Sequence, residues 1–213
     1  MPCTDYSLGL RSPTFHPLLG SGIFTQDGAA WRHSRQLLRP QFASNRVQNY
    51  YQIKACVDSL ISRIPEDGIV DLQPHSFKLT FDTTMFLLFG PSVEAEDWDN
   101  VAGQEAELAK SFNLAQEYLA YRGRLGGLYW LLDSSKFRSE CRECHRFVDV
   151  AVAKALEASK NHVSDKQHEE KKSYVFVHAL TEQTKDPQII RDQYLNLLLA
   201  GRDTTGCCLQ WTL

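Results

Sequence analysis

The sequence predicts a mainly α-helical fold. Apolar residues recur every three or four positions through segment after segment, which marks helices that bury one face. The clearest are Leu108, Phe112, Ala115 and Leu119, and then Phe137, Cys141, Cys144, Val148, Val152 and Ala155. A composition of 43% hydrophobic and 23% charged residues, with a net charge of −3, provides a core and argues against disorder. No internal repeat or domain boundary interrupts residues 1–213, so a single unit is expected.

In chain order, Gly20-Ser21-Gly22 permits a turn, and residues 1–22 are expected to be loop by the resemblance given below. A helix follows over Ala29–Leu38, with Asp27 placed to cap it and Pro40 to end or kink it. Further helices are expected over Val47–Ile61, Phe77–Leu88, Gln104–Tyr121 and Ser139–Lys160. The lysine- and glutamate-rich stretch Asn161–Lys172 reads as a loop, followed by a helix over Tyr174–Thr184 and a last one from Pro187 onward.

That last helix breaks the rules of a helix interior at Ala200-Gly201-Arg202-Asp203-Thr204-Thr205. Glycine costs a helix about 1 kcal/mol relative to alanine, and aspartate and threonine compete for nearby backbone groups. Ala200 and Thr204, four apart, share a face beside the side-chain-free Gly201, so a shallow groove is expected there. A Thr204 hydroxyl turned back to the Ala200 carbonyl competes with the ladder bond and opens the helix to water or a small molecule. Asp203 can then relay protons from solvent through that hydroxyl. The alternative is that the helix breaks at Gly201 and Asp203 caps a new one.

Upstream, Trp31 and Arg35 also lie four apart, so an indole N–H and a guanidinium are presented together, a donor set suited to a carboxylate. The alternative is an ordinary amphipathic helix with a half-buried tryptophan and solvated arginines.

Together these two segments resemble the oxygen-activation motif of the central helix and the Trp-x-x-x-Arg helix of cytochrome P-450 monooxygenases. Val70-Asp71-Leu72-Gln73-Pro74 with Phe81–Gly90, Ala120–Leu125 and Phe147-Val148-Asp149 extend the resemblance to the fungal alkane and fatty-acid hydroxylases of that family. The resemblance implies a partial cytochrome P-450 fold, running from the loop before the Trp-x-x-x-Arg helix to the central helix. It lacks the amino-terminal sheet region and the haem-thiolate half. It implies that Trp31 and Arg35 bind a haem propionate and that Ala200 and Gly201 give dioxygen room. Thr204 would hydrogen-bond the bound oxygen and Asp203 would deliver protons. Phe15, Leu18, Leu19, Ile23 and Phe24 would contact an apolar substrate. Haem (iron protoporphyrin IX), O2 and electrons from NADPH through an NADPH-cytochrome reductase are the implied cofactors and partner, at the cytosolic face of the endoplasmic reticulum membrane. The basic residues Arg32, His33, Arg35 and Arg39 suit an acidic partner surface or a solvated face equally.

None of Cys3, Cys56, Cys141, Cys144, Cys207 and Cys208 lies in the family's Phe-x-x-Gly-x-Arg-x-Cys-x-Gly loop, so no metal ligand is assigned. The chain is expected to be an incomplete piece, inactive alone, with its membrane anchor absent. Glu143-Cys144-His145-Arg146 matches the family's Glu-x-x-Arg only by coincidence, being upstream of the oxygen motif. No stretch approaches the ~20 apolar residues that span a bilayer, and the near-neutral charge gives no reason to bind nucleic acid. A non-catalytic helical product shares every one of these features. Cys141-x-x-Cys144-His145 also fits the attachment signature of a c-type haem electron carrier. The helical spacing of those cysteines with Phe137 and Val148 points instead to a packed face. His16, His162, His168 and His178 lack ligand spacing, and no nucleophile elbow, zinc or phosphate-loop pattern occurs.

Overall fold

The computed structural model describes residues 7–43, 46–66, 68–89, 98–162, 180–181 and 183–212. The helices are α1 (Arg11–Leu19), α2 (Gly28–Ala43), α3 (Arg46–Ile61), α4 (Leu72–Phe89), α5 (Trp98–Leu125), α6 (Ser135–His162) and α7 (Pro187–Thr212), with a 3-10 segment, Gly126–Leu132, after α5. No strand occurs among the described residues, as the mainly α expectation required.

Local chemistry sets several helix starts. The Asp71 carboxylate accepts the Gln73 N–H, the Ser134 hydroxyl accepts the Phe137 N–H and the Asp186 carboxylate accepts the Gln188 N–H, at 3.0, 3.1 and 2.9 Å. Each satisfies a donor that the first helical turn leaves orphaned. Pro187, at the first position of α7, has no such donor to satisfy. Asp27 does precede α2, and its carbonyl accepts the Trp31 N–H, but its carboxylate turns away to take the Leu8 N–H at 2.9 Å.

Several expected boundaries move. α2 does not end at Pro40 but runs through it to Ala43, because a proline deletes one donor without forcing the chain out of helical φ. α4 starts at Leu72 rather than Phe77, with Pro74 tolerated in its first turn. α5 and α6 are each longer than the apolar period marked. Residues 11–19, expected to be loop, form α1. Pro17 removes the donor that would reach the Pro13 carbonyl, and there the Arg122 guanidinium from α5 approaches as a substitute. Arg122 is buried, donates to the Thr14 carbonyl at 3.3 Å, and stacks on the Tyr129 and Phe137 rings. Most of Asn161–Lys172 and of the Tyr174–Thr184 helix lies outside the described residues.

α7 is the axis of the core. It packs along α4 and against α6, while α1 touches α5, α6 and α7 together. Ile190, Tyr194, Leu195 and Leu198 are fully enclosed with Phe81, Met85 and Leu88 of α4. The Tyr194 hydroxyl donates to the Leu88 carbonyl at 2.8 Å. The expected apolar faces are the buried ones: Leu108, Phe112, Ala115 and Leu119 on α5, and Phe137, Cys141, Cys144, Val148 and Val152 on α6. Among the described residues, no helix is long and apolar enough to cross a membrane.

Candidate functional site

The unusual segment of α7 does not break the helix, which runs unbroken from Pro187 to Thr212, so Asp203 caps no new helix. The Thr204 hydroxyl turns back to the Ala200 carbonyl at 2.6 Å. Thr204, Thr205, Cys208 and Trp211 are exposed, so this face of α7 is open; Trp211 is 91% exposed.

The opposite side is closed. A Cβ added at Gly201 would lie 2.6 Å from Thr84 Oγ1 of α4, and one at Gly206 would lie 2.8 Å from the Phe77 ring. Both glycines let α4 and α7 approach closely, and the space beside Gly201 is filled by Thr84. Arg202 is buried between the Phe77 and Phe81 rings, with its guanidinium carbon 5.4 and 5.8 Å from their centres. Its Nη1 donates to Asp203 Oδ1 at 3.0 Å.

Asp203 is half-buried, and burial pushes its carboxyl above the usual carboxylate range, with Arg202 opposing the shift. The Gln116 side chain of α5 lies beside it and also favours the charged form, although Gln116 Nε2 makes no well-formed hydrogen bond. Asp203 is thus directed toward α4 and α5 in this conformation, one residue round the helix from the open Thr204 face.

On α2, the Arg35 guanidinium sits 5.3 Å from the Trp31 ring centre. Among the described residues, neither its guanidinium nor the indole N–H has a hydrogen-bond or ion-pair partner, so both donors remain available to a carboxylate. Ser34, between them in sequence, is buried and accepts a hydrogen bond from Gln193 Nε2 of α7 at 2.9 Å, which ties this part of α2 to the central helix. The N–H donors of this pair are chemically suited to the carboxylate arms of a group such as haem. Among the described residues, no three His, Cys, Asp or Glu side chains gather to hold a metal ion.

The residues expected to meet substrate divide into two groups. Leu18 and Leu19 are fully enclosed in the core. Phe15, Ile23 and Phe24 are half-buried at its edge, with Arg11 over the Phe15 and Phe24 rings. The structure brings Ile23 and Phe24 to α7, because their loop is bonded to Asp192 and Asn196. Those two polar residues, and Arg202, were not singled out from sequence. The signal for the first two was present: they sit at four-residue steps before Ala200 and Thr204 in a leucine-rich run.

For the Cys-x-x-Cys-His segment, the geometry supports packing. Burial pushes the Cys141 thiol up to about 12 and that of Cys144 higher still. The His145 Nε2–H donates to the Leu18 carbonyl at 2.8 Å, the tautomer following from the carbonyl's being only an acceptor. A groove of about 680 Å³ opens beside Pro17, Arg138, Cys141, Arg142 and His145.

The site is thus one long helix with a hydroxyl bonded back into its own turn and a half-buried carboxylate next to it. The cytochrome P-450 family model matches residues 7–213, and the chain belongs to that family. It is 56% identical over 196 residues to a cytochrome P-450 of Arthroderma benhamiae, covering 91% of this chain and 39% of that relative. It is 41% identical to cytochrome P-450 52A4 of Candida maltosa over 97% of this chain and 39% of the relative. To cytochrome P-450 52A12 of Debaryomyces hansenii it is 40% identical, over 98% and 42%. The chain therefore spans about two fifths of the length of these curated relatives.

Proposed function

We propose that this chain is the oxygen-activating and substrate-facing part of a haem monooxygenase that hydroxylates an apolar chain such as an alkane or fatty acid. The observation that carries the reading is the Thr204–Ala200 bond on an open face of α7, with the half-buried Asp203 next to it. Haem, when bound, supplies the iron at which dioxygen is reduced with electrons that come from NADPH through a reductase.

The chain's own residues supply the rest. Trp31 and Arg35 hold the propionates with N–H donors. Thr204 Oγ1 already donates its hydrogen to Ala200, so its lone pairs face outward, where they can accept a hydrogen bond from water and hold it in place. Asp203, with its affinity for a proton raised by burial, carries protons toward that water. To do so its carboxylate leaves Arg202 and turns toward Thr204, because the two side chains point about 100° apart around the helix. A reductase docks by charge, for which the exposed basic residues Arg32 and Arg39 are suited. Placement of the whole protein at the endoplasmic reticulum membrane, cytosolic face, belongs to the same proposal.

The test is the Thr204→Ala variant of the whole protein, assayed with haem, reductase, NADPH and dodecanoic acid. Wild type is expected to form a hydroxylated product. The variant is expected to keep consuming NADPH while product per NADPH falls about 100-fold, the low end of what a positioned proton donor contributes. An unchanged yield would remove Thr204 from the chemistry, and absence of hydroxylated product from wild type would overturn the substrate class.

A further inference from the structure

The loop between α1 and α2 is gripped by one face of α7 through backbone hydrogen bonds. The Ser21 N–H donates to Asp192 Oδ2 at 2.8 Å, and the Phe24 N–H donates to Asn196 Oδ1 at 3.1 Å. Asn196 Nδ2 donates in turn to the carbonyls of Leu19 and Asp192, at 2.9 and 2.7 Å. One turn around, Gln193 donates to Ser34, whose hydroxyl donates to Gln26 Oε1 at 2.7 Å and closes the far end of the loop.

Asp192, Gln193 and Asn196 are at most 1% exposed. Burying three polar side chains is costly unless each is bonded, and an apolar trio would fill the space at less cost. Here Asp192 and Asn196 bond the loop directly and Gln193 reaches it through Ser34, which is what apolar side chains could not do. The loop sequence answers them: a Cβ at Gly20 would run into the Asp192 carboxylate, and one at Gly22 into the Asn196 amide. The glycines let the loop backbone lie directly on the helix.

Asp192, Asn196, Ala200 and Thr204 follow at four-residue steps, a row that winds about 40° per step, so Thr204 lies about 80° around α7 from Asn196. From Asn196 to Thr204 the helix rises about 12 Å. The clasped backbone carries Ile23 and Phe24, both half-buried apolar side chains beside the core.

We infer that the Asp192–Asn196 clasp fixes the distance between the Ile23–Phe24 apolar wall and the Thr204 hydroxyl, and thereby selects which carbon of an extended apolar substrate is presented there. Asp192 and Asn196 are positioning residues that act through the loop. The inference rests on the reading of α7 given above.

The test uses the haem-loaded whole protein and two variants that break the clasp from opposite sides, Asn196→Leu and Gly22→Ala. Haem content and melting temperature first establish that each variant is folded; where one is not, the other carries the test. For each loop amide, loss of its one hydrogen bond to α7, about 1 kcal/mol net, corresponds to about fivefold in an equilibrium at room temperature. Hydrogen exchange at the Ser21 and Phe24 amides is therefore expected to rise about fivefold. With dodecanoic acid, KM is expected to rise about fivefold with kcat within about twofold, and the ratio of hydroxylated positions to shift in the same direction in both variants.

Faster exchange with unchanged product positions and KM would overturn the positioning inference and leave the proposed function standing. Unchanged exchange would overturn the clasp itself. If wild type forms no hydroxylated product, the proposed function fails, and amide protection decides the inference alone. Protection at Ile23 and Phe24 that dodecanoic acid induces in wild type but not in Asn196→Leu supports it, and absence of that difference overturns it.

Discussion

Replacing Gly201 by alanine tests whether the glycine in the α7 motif exists to bring two helices together. The added Cβ would lie 2.6 Å from Thr84 Oγ1 and 3.2 Å from its Cγ2, against the 3.5–4.0 Å of comfortable contact between carbon atoms. Thr84 cannot yield easily: it is buried, β-branched, and its hydroxyl donates to the Thr80 carbonyl at 2.7 Å. The relief must come from moving α4 away from α7 along their shared core. Overpacking of this kind costs about 1–3 kcal/mol, while alanine regains about 1 kcal/mol of helix propensity. The net expectation for Gly201→Ala is a loss of about 1 kcal/mol. Because the two contributions partly cancel, the sharper assay is a double-mutant cycle with Thr84→Ala, read by chemical denaturation of the whole protein. Thr84→Ala removes the two nearest colliding atoms, so the double variant should recover about 1–2 kcal/mol relative to additivity. A coupling within about 0.5 kcal/mol of zero, or a Gly201→Ala protein more stable by the full propensity gain, would refute the packing explanation.

Arg202→Met should cost about 2 kcal/mol, since it strips the half-buried Asp203 of its ion-pair partner, and less in an Asp203→Asn background where no charge is left unpaired; equal costs in the two backgrounds, measured by denaturation, would count against the pair. Burial holds the His145 imidazole below its ordinary 6.5, with the Leu18 carbonyl and the Asp192 and Asp149 carboxylates opposing. Between that depressed value and 6.5 the unfolded chain binds the proton better, so stability is full above pH 6.5 and is lost as pH falls through this window. His145→Gln should flatten that part of the stability profile, and an unchanged slope would assign it elsewhere. Cys141 and Cys144 should resist iodoacetamide at pH 8 in the folded protein and react once it is denatured, because their thiols stay protonated and enclosed; labelling of the native protein by mass spectrometry would contradict their burial.

What the sequence revealed of the fold follows from how many sides each helix buries. α5 and α6 pack on one side, so Leu108 to Leu119 and Phe137 to Val152 show the three-to-four period plainly. α1 buries Thr14, Leu18 and Leu19 against α5, α6 and α7 at once, which erases the period, and its two prolines imitate a loop. Arg122, more than a hundred residues away, approaches the Pro13 carbonyl that Pro17 leaves open and donates to the Thr14 carbonyl beside it. No local rule contains that contact. At the candidate site, the Thr204–Ala200 bond was legible because it is confined to one turn of one helix. The Thr84 contact of Gly201, the ring-stacked Arg202 and the loop clasp were not, since each depends on which helix lies alongside.

Arg202 shows why the local reading of the motif was incomplete. Neighbours in sequence do not face each other on a helix, yet the Arg202 guanidinium, held between Phe77 and Phe81, reaches sideways to the Asp203 carboxylate. The same contact that closes the α4–α7 interface thus draws Asp203 away from Thr204. In the proposed proton delivery the carboxylate would exchange a charged partner for water, and burial, by favouring the neutral acid, leaves it less to lose on parting from Arg202. On the proposed function, packing and proton handling therefore meet at one pair of adjacent residues. A substitution such as Arg202→Lys, which keeps the charge but not the planar group stacked between two rings, should disturb both together.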